Sequence, residues 1–67
     1  MIITATDMDG KFMGIDSKNI IYSIIINPVD ISAKFIRISL MEDYNQRFID
    51  VEHSDEVVKQ LIALSGN

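Results

Sequence analysis

The chain has 67 residues, 48% of them hydrophobic, and its 10 acidic and 6 basic residues give a formal net charge of −4 at pH 7. This length predicts one domain, residues 1–67, close to the lower limit for a self-sufficient hydrophobic core. With no cysteine and a single histidine, disulfides and the usual zinc ligand sets are excluded. The acidic balance argues against nucleic acid as a partner, because Lys and Arg supply most of that affinity.

The first third of the chain predicts a β-hairpin. Ile2–Thr6 is rich in β-branched residues, which is typical of a strand. The pair Asp9-Gly10 indicates a hairpin turn, because glycine adopts the positive φ that primed turns need. Residues 11–15 then predict the return strand, and the polar residues 16–19 predict a second turn.

The middle of the chain predicts a strand that is apolar on both faces, Ile20–Ile26, ended by Asn27-Pro28. Its alternation assigns one face to Ile20, Tyr22, Ile24 and Ile26, and the other to Ile21 and Ile25 beside Ser23. A strand that is apolar on both faces needs a cover on each of them.

The last third predicts two more strands and a helix. Residues 34–42 present Ile36, Ile38 and Leu40 on their better apolar face. After a turn at 43–45, residues 46–52 direct Ile49 and Val51 one way and Phe48 the other. Ser54 is the expected N-cap of a helix over 55–64, and Gly66 is its expected stop. The helix stripe consists of Val57, Val58, Leu61, Ile62 and Leu64.

These elements predict an α+β fold, with four to five short antiparallel strands in a twisted sheet or small open barrel and one C-terminal helix. One short helix covers one sheet face. We therefore expect the other face to form an interface, with the residues Ile21, Ile25, Phe35, Met41 and Phe48. The alternative is a curled barrel in which Ile21, Ile25 and Phe35 are internal.

One tetrapeptide has a chemical interpretation. Asp7-Met8-Asp9-Gly10 follows a strand and resembles the DxDG signature of haloacid-dehalogenase-like phosphatases, in which the first Asp is the nucleophile and the second a general acid beside magnesium. Position 11 is Lys where that family has Thr or Val, and the chain is too short for that family's core. We therefore predict a hairpin turn with no catalytic residue, metal or cofactor; a phosphatase-like fragment using Asp7 and Asp9 is a distant alternative. We also expect His53, at the last strand-to-helix junction, to be a turn residue.

A pattern of strand and turn signals runs along most of the chain. It comprises Ile3-Thr4, Gly10, Phe12, Asn19-Ile20-Ile21, Pro28, the alternation Ile36, Ile38 and Leu40, Val51-Glu52-His53-Ser54, Glu56-Val57 and Ile62. This organisation resembles the small flagellar FlbD-like family, found in flagellar operons. Residues 29–33 are additional to that pattern, and the junction before the helix is one residue shorter. The resemblance implies no catalytic residues.

The sequence thus predicts an interaction or structural module, not an enzyme. The longest apolar run, Ile24-Ile25-Ile26, is too short to span a bilayer, and the N-terminus has no basic segment followed by an apolar stretch. We expect a cytoplasmic protein of bacterial or phage type, without membrane insertion or a signal peptide. Its expected partner is a second copy of itself, in a homodimer or larger assembly, with another protein as a further candidate. A small barrel-type nucleic-acid-binding or regulatory protein remains the alternative.

Overall fold

The computed structural model describes residues 1–30 and 33–65. Its elements, in chain order, are β1 (Ile2–Thr6), β2 (Phe12–Asp16), a 3₁₀ turn (Ser17–Asn19), β3 (Ile20–Ile26), β4 (Phe35–Glu42), β5 (Asn45–Glu52) and α1 (Asp55–Ser65). β1 and β2 form an antiparallel pair, and β3, β4 and β5 form an antiparallel sheet in that order. The predicted α+β class is confirmed. An isolated bridge between Asp7 and Val51 links the two sheets, which do not close into a barrel.

The β1–β2 hairpin is stabilised by the side chain at its base. Asp7 Oδ1 accepts the backbone N–H groups of Asp9 at 2.9 Å and of Lys11 at 2.8 Å. The turn passes through Gly10 at φ 85, a conformation that L side chains rarely adopt. The predicted turn is present, and β2 begins at Phe12, one residue later than expected.

The β4–β5 hairpin has a two-residue loop, Asp43 and Tyr44, because Glu42 lies opposite Asn45. Both loop residues have positive φ, 50 and 65, as in a type I′ turn. Asn45 Nδ2 donates to the carbonyl oxygen of Asp43 at 3.1 Å. The Tyr44 side chain is fully exposed, so the turn conformation is not compensated by packing of the ring.

The core lies between the three-stranded sheet, the hairpin and α1. We name the sheet face that carries Ile36, Ile38 and Leu40 the inner face, and the opposite face, with Phe35, Arg37 and Met41, the outer face. Fully packed residues come from all three parts of the fold: Ile3, Ala5, Ile15, Ile36, Ile38, Leu40, Val51 and Val57. This inner-face cluster supplies most of the apolar burial that holds so short a chain together.

The helix begins as predicted and packs as predicted, with one exception. Ser54 Oγ accepts the N–H of Val57 at 3.3 Å, which is the expected N-cap bond. Val57 is buried, and Val58, Leu61 and Leu64 pack against the core. Ile62, which the stripe placed with them, is 62% exposed. Ile62 follows Leu61 by one residue, which is about 100° of helical rotation, so it lies beside the core-facing side of the helix and not on it. The expected stop at Gly66 lies outside the described residues.

A single glutamine ties α1 to β1. Gln60 donates its Nε2–H to the carbonyl oxygen of Thr4 at 2.9 Å, and its Oε1 accepts the Thr4 N–H at 2.9 Å. The side-chain amide thus occupies the position of a neighbouring strand on β1. Within the described residues, no helix is long and apolar enough to cross a bilayer.

Candidate functional site

The third strand has a partner on one side only. β3 is hydrogen-bonded to β4 and, within residues 1–30 and 33–65, to no other strand. An edge strand directs every second N–H and C=O away from its sheet, where they can pair with another chain. Natural proteins protect such edges with charges or proline. Ile20–Ile26 contains neither, and its Ile21, Tyr22, Ile24 and Ile25 are each about half exposed.

A β-bulge is the one protective device on β3. The register against β4 shifts between Ile20, which pairs with Leu40, and Tyr22, which pairs with Ser39. A bulge bends and twists its strand locally. From Tyr22 to Ile26 the pairing with β4 is regular, so the bulge interrupts only the start of the strand.

An apolar groove of about 770 Å³ runs beside this edge on the inner face, between β3 and α1. It exists because α1 contacts β1, at the far side of the inner face, and leaves the inner side of β3 uncovered. No charged residue is among the described residues that line it. The apolar side chains that define it are Ile21, Ile25, Val58, Leu61, Ile62 and Leu64.

The five predicted interface residues do not share one face. In an antiparallel sheet, directly opposed residues project to the same side. Ile25 pairs with Ile36 and therefore lies on the inner face, and Ile21, beside the bulge, lines the same groove. Phe35, Met41 and Phe48 lie on the outer face. The structure thus divides the five residues between two surfaces, because the β3–β4 pairing places Ile25 on the same side as Ile36 and not as Phe35.

The outer face carries a second apolar area around an ion pair. Arg37 contacts Asp50 through Nε–Oδ1 at 2.8 Å and Nη2–Oδ2 at 3.1 Å, and its guanidinium lies 5.8 Å from the centroid of the Phe35 ring. The hydrogen bond from Arg37 lowers the pKa of the Asp50 carboxyl below its ordinary value. Ser39 is fully buried here, and its Oγ accepts a hydrogen bond from Gln46 Nε2 at 2.9 Å, while Phe48 is 55% exposed.

The two aspartates of the DxDG-like motif lie in a turn. Asp7 directs Oδ1 at two backbone N–H groups of its own hairpin, and Asp9 is exposed at the tip. Among the described residues, no three His, Cys, Asp or Glu side chains come together as a possible metal site. His53 lies in the short connection between β5 and α1 and is half-buried. The arrangement around Asp7 stabilises a turn.

The sequence pattern did not single out the two surfaces that the fold creates. Ile62 was expected in the apolar stripe of the helix and instead borders the groove, and Tyr22 and Ile24, which were not among the predicted interface residues, are about half exposed. One signal was available: Ile62 is out of phase with the positions 57, 61 and 64 that face the core.

No family model, no curated protein and no solved structure matches this chain. The resemblance to the flagellar FlbD-like family therefore stays a prediction.

Proposed function

We propose that this protein is a non-enzymatic interaction module that self-associates, and that the free edge of β3 with its adjoining groove is the surface it uses. The observation that carries the proposal is the edge strand itself. It is seven residues long, uncharged and half exposed, and it borders an uncharged apolar groove. A monomer would leave both features in water, which small soluble domains avoid.

A second copy is the occupant that this surface favours. Each chain carries a net charge of −4, so two copies repel each other wherever their charged parts meet. The segment 19–29 carries no charge, which makes the β3 edge a place where two copies can approach without opposing like charges. Contact there would bury Ile21 and Ile25 and satisfy outward backbone groups at the same time.

The test is solution mass by light scattering, with two lysine variants. The wild type is expected at twice the 7.6 kDa chain mass. Ile25→Lys places a charge at the edge and should give a folded monomer, since the lysine stem can remain on the apolar surface while its ammonium reaches water. Phe48→Lys is the matched control: Ile25 and Phe48 are both 55% exposed, but Phe48 is on the outer face.

The outcomes separate the two surfaces. Dissociation by Ile25→Lys alone supports the β3 edge, whereas dissociation by Phe48→Lys alone would move the interface to the outer face. A wild type that stays monomeric at millimolar concentration would refute self-association. Circular dichroism of each variant shows whether the monomer keeps its fold.

Nucleic-acid binding is the alternative function. The exposed rings of Tyr22 and Phe48 favour it, because bases stack on such rings. The charge arrangement argues against it. Among the described outer-face residues, Arg37 is the only cation, and it is already paired with Asp50. A phosphate would have to compete with that carboxylate on a protein of net charge −4.

We propose that the protein is cytoplasmic and of bacterial or phage type. A chain without cysteines suits a reducing compartment, where disulfides do not form. Membership of the FlbD-like family belongs to the same proposal and rests on the sequence pattern alone. Genomic neighbourhood is the direct check, since a flagellar operon around the gene would support it and an unrelated operon would oppose it.

A further inference from the structure

The residues of β3 are arranged almost symmetrically about Ser23. Tyr22 and Ile24 flank it, and Ile21 and Ile25 follow on either side. In a two-fold antiparallel pair of identical strands, each residue faces the residue at the same distance on the other side of the axis. A strand whose sequence is symmetric in polarity is therefore complementary to itself.

We infer that two copies join through β3 in antiparallel register with the two-fold axis at Ser23, an inference that rests on the proposed self-association. Ile21 then lies opposite the partner's Ile25, Tyr22 opposite the partner's Ile24, and Ser23 opposite the partner's Ser23. The result is one continuous six-stranded sheet. Apolar side chains meet apolar side chains, and the one hydroxyl meets its own copy, with which it can hydrogen-bond.

The faces of the sheet agree with this register. Ser23 and Ile25 pair with Ile38 and Ile36 of the same chain and so project to the inner face. Tyr22 and Ile24 pair with Ser39 and Arg37 and so project to the outer face. Opposed residues in an antiparallel sheet must share a face, and the axis at Ser23 satisfies this requirement for Tyr22 with Ile24 and for Ser23 with itself.

Neighbouring registers are less favourable. A shift by one residue opposes Ser23 to the partner's Ile24, which projects to the other face, so the pleats do not match. An axis at Tyr22 brings the bulge between Ile20 and Tyr22 next to the axis and sets Ile21 against the partner's Ser23 twice, whereas an axis at Ser23 keeps the bulge near the ends of the new ladder. An axis at Ile24 sets Ser23 against the partner's Ile25 twice, and Ile21 against the partner's Asn27. That last register buries polar groups against apolar ones.

This register also joins the apolar grooves of the two copies. Across the axis at Ser23, Ile25 of one copy is adjacent to the partner's Ile21, so each apolar groove continues into the other on the same side of the joined sheet. The nearest charges in the sequence, Lys18 and Asp30, flank the strand at either end. No like charges are therefore opposed along the seam.

Cysteine cross-linking tests the register, because the chain has no cysteine of its own. Opposed residues in antiparallel strands have Cα atoms about 4.5–5.5 Å apart, within the range that a disulfide spans. Ser23→Cys should thus give a covalent dimer under mild oxidation. Ile24→Cys should not, since two residues of offset separate its two copies by roughly 8 Å. Phe48→Cys, exposed on the outer face, measures cross-linking by random collision.

We expect the covalent dimer of Ser23→Cys to form at least about tenfold faster than that of either control. Faster cross-linking of Ile24→Cys would place the axis at Ile24 and overturn the inference. If the reduced variants are dimers by light scattering and none cross-links faster than Phe48→Cys, the β3 register is wrong while self-association stands. A monomeric wild type would refute the proposed function and this inference together. Light scattering of reduced Ser23→Cys checks that the substitution itself leaves the assembly intact.

Discussion

Replacing Tyr44 by glycine should stabilise the protein. Tyr44 is the second loop residue of the β4–β5 turn and has φ 65, in the left-handed region that costs an L residue about 1–2 kcal/mol. Its ring is fully exposed, so its loss removes no packing. Glycine abolishes the steric cost but also gives the unfolded chain more freedom, which offsets about 0.5–1 kcal/mol of the gain in stability. A net gain of about 0.5–1 kcal/mol follows.

Thermal unfolding of Tyr44→Gly measures this gain. In a domain of this size, 1 kcal/mol raises Tm by about 4–8 °C, so we expect an increase of roughly 2–8 °C. Tyr44→Ala is the control, because alanine lacks the ring but keeps the left-handed strain, and its Tm should stay near the wild-type value. All samples are compared at one concentration, since association shifts Tm. A Tm of Tyr44→Gly no higher than that of Tyr44→Ala would refute the strain argument.

Three further predictions concern the core, the helix contact and pH. Ile38→Ala empties a fully buried inner-face position and should cost about 2–5 kcal/mol in chemical denaturation; a smaller loss would mean that the site collapses to fill the cavity. Gln60→Ala removes both bonds to β1 and should cost about 1–3 kcal/mol, while Gln60→Glu, which keeps only the acceptor, should also destabilise; an unaffected variant would contradict the contact. The pKa of Asp50 is held below its ordinary value of 3.8 by the hydrogen bond from Arg37. This stabilisation is present at neutral pH and is lost as the pH falls below 3.8, so Asp50→Asn should lose less stability than the wild type over that range.

The local elements could be predicted because their signals are local. Asp9-Gly10 predicted the first turn through the φ of glycine, and Ser54 predicted the helix start through its cap bond. The second turn was predictable in place but not in type. Nothing about Tyr44 indicates a left-handed residue, and the type I′ conformation is imposed by the twist of the two strands that it joins.

The register of β3 could not be predicted from the sequence. Residues 27–34 separate β3 from β4, and a connection of that length does not fix the pairing as a two-residue loop does. The structure pairs Ile26 with Phe35, and this alone moves Ile25 to the inner face. The surplus of apolar residues was visible in the sequence, because one helix cannot cover two faces. The sequence did not show that these apolar residues divide between the β3 edge with its groove and the separate outer face.

The bond between Gln60 and Thr4 joins positions 56 residues apart, which has a consequence for how the chain is made. During synthesis β1 emerges well before Gln60, the residue that occupies its open side. Until then β1 is an unprotected template for the strands of other nascent chains. Long-range closure of this kind also slows folding, because the whole intervening chain must be arranged before the contact is made. Docking of α1 on β1, rather than collapse of the hairpin, is therefore the step that covers this side of β1.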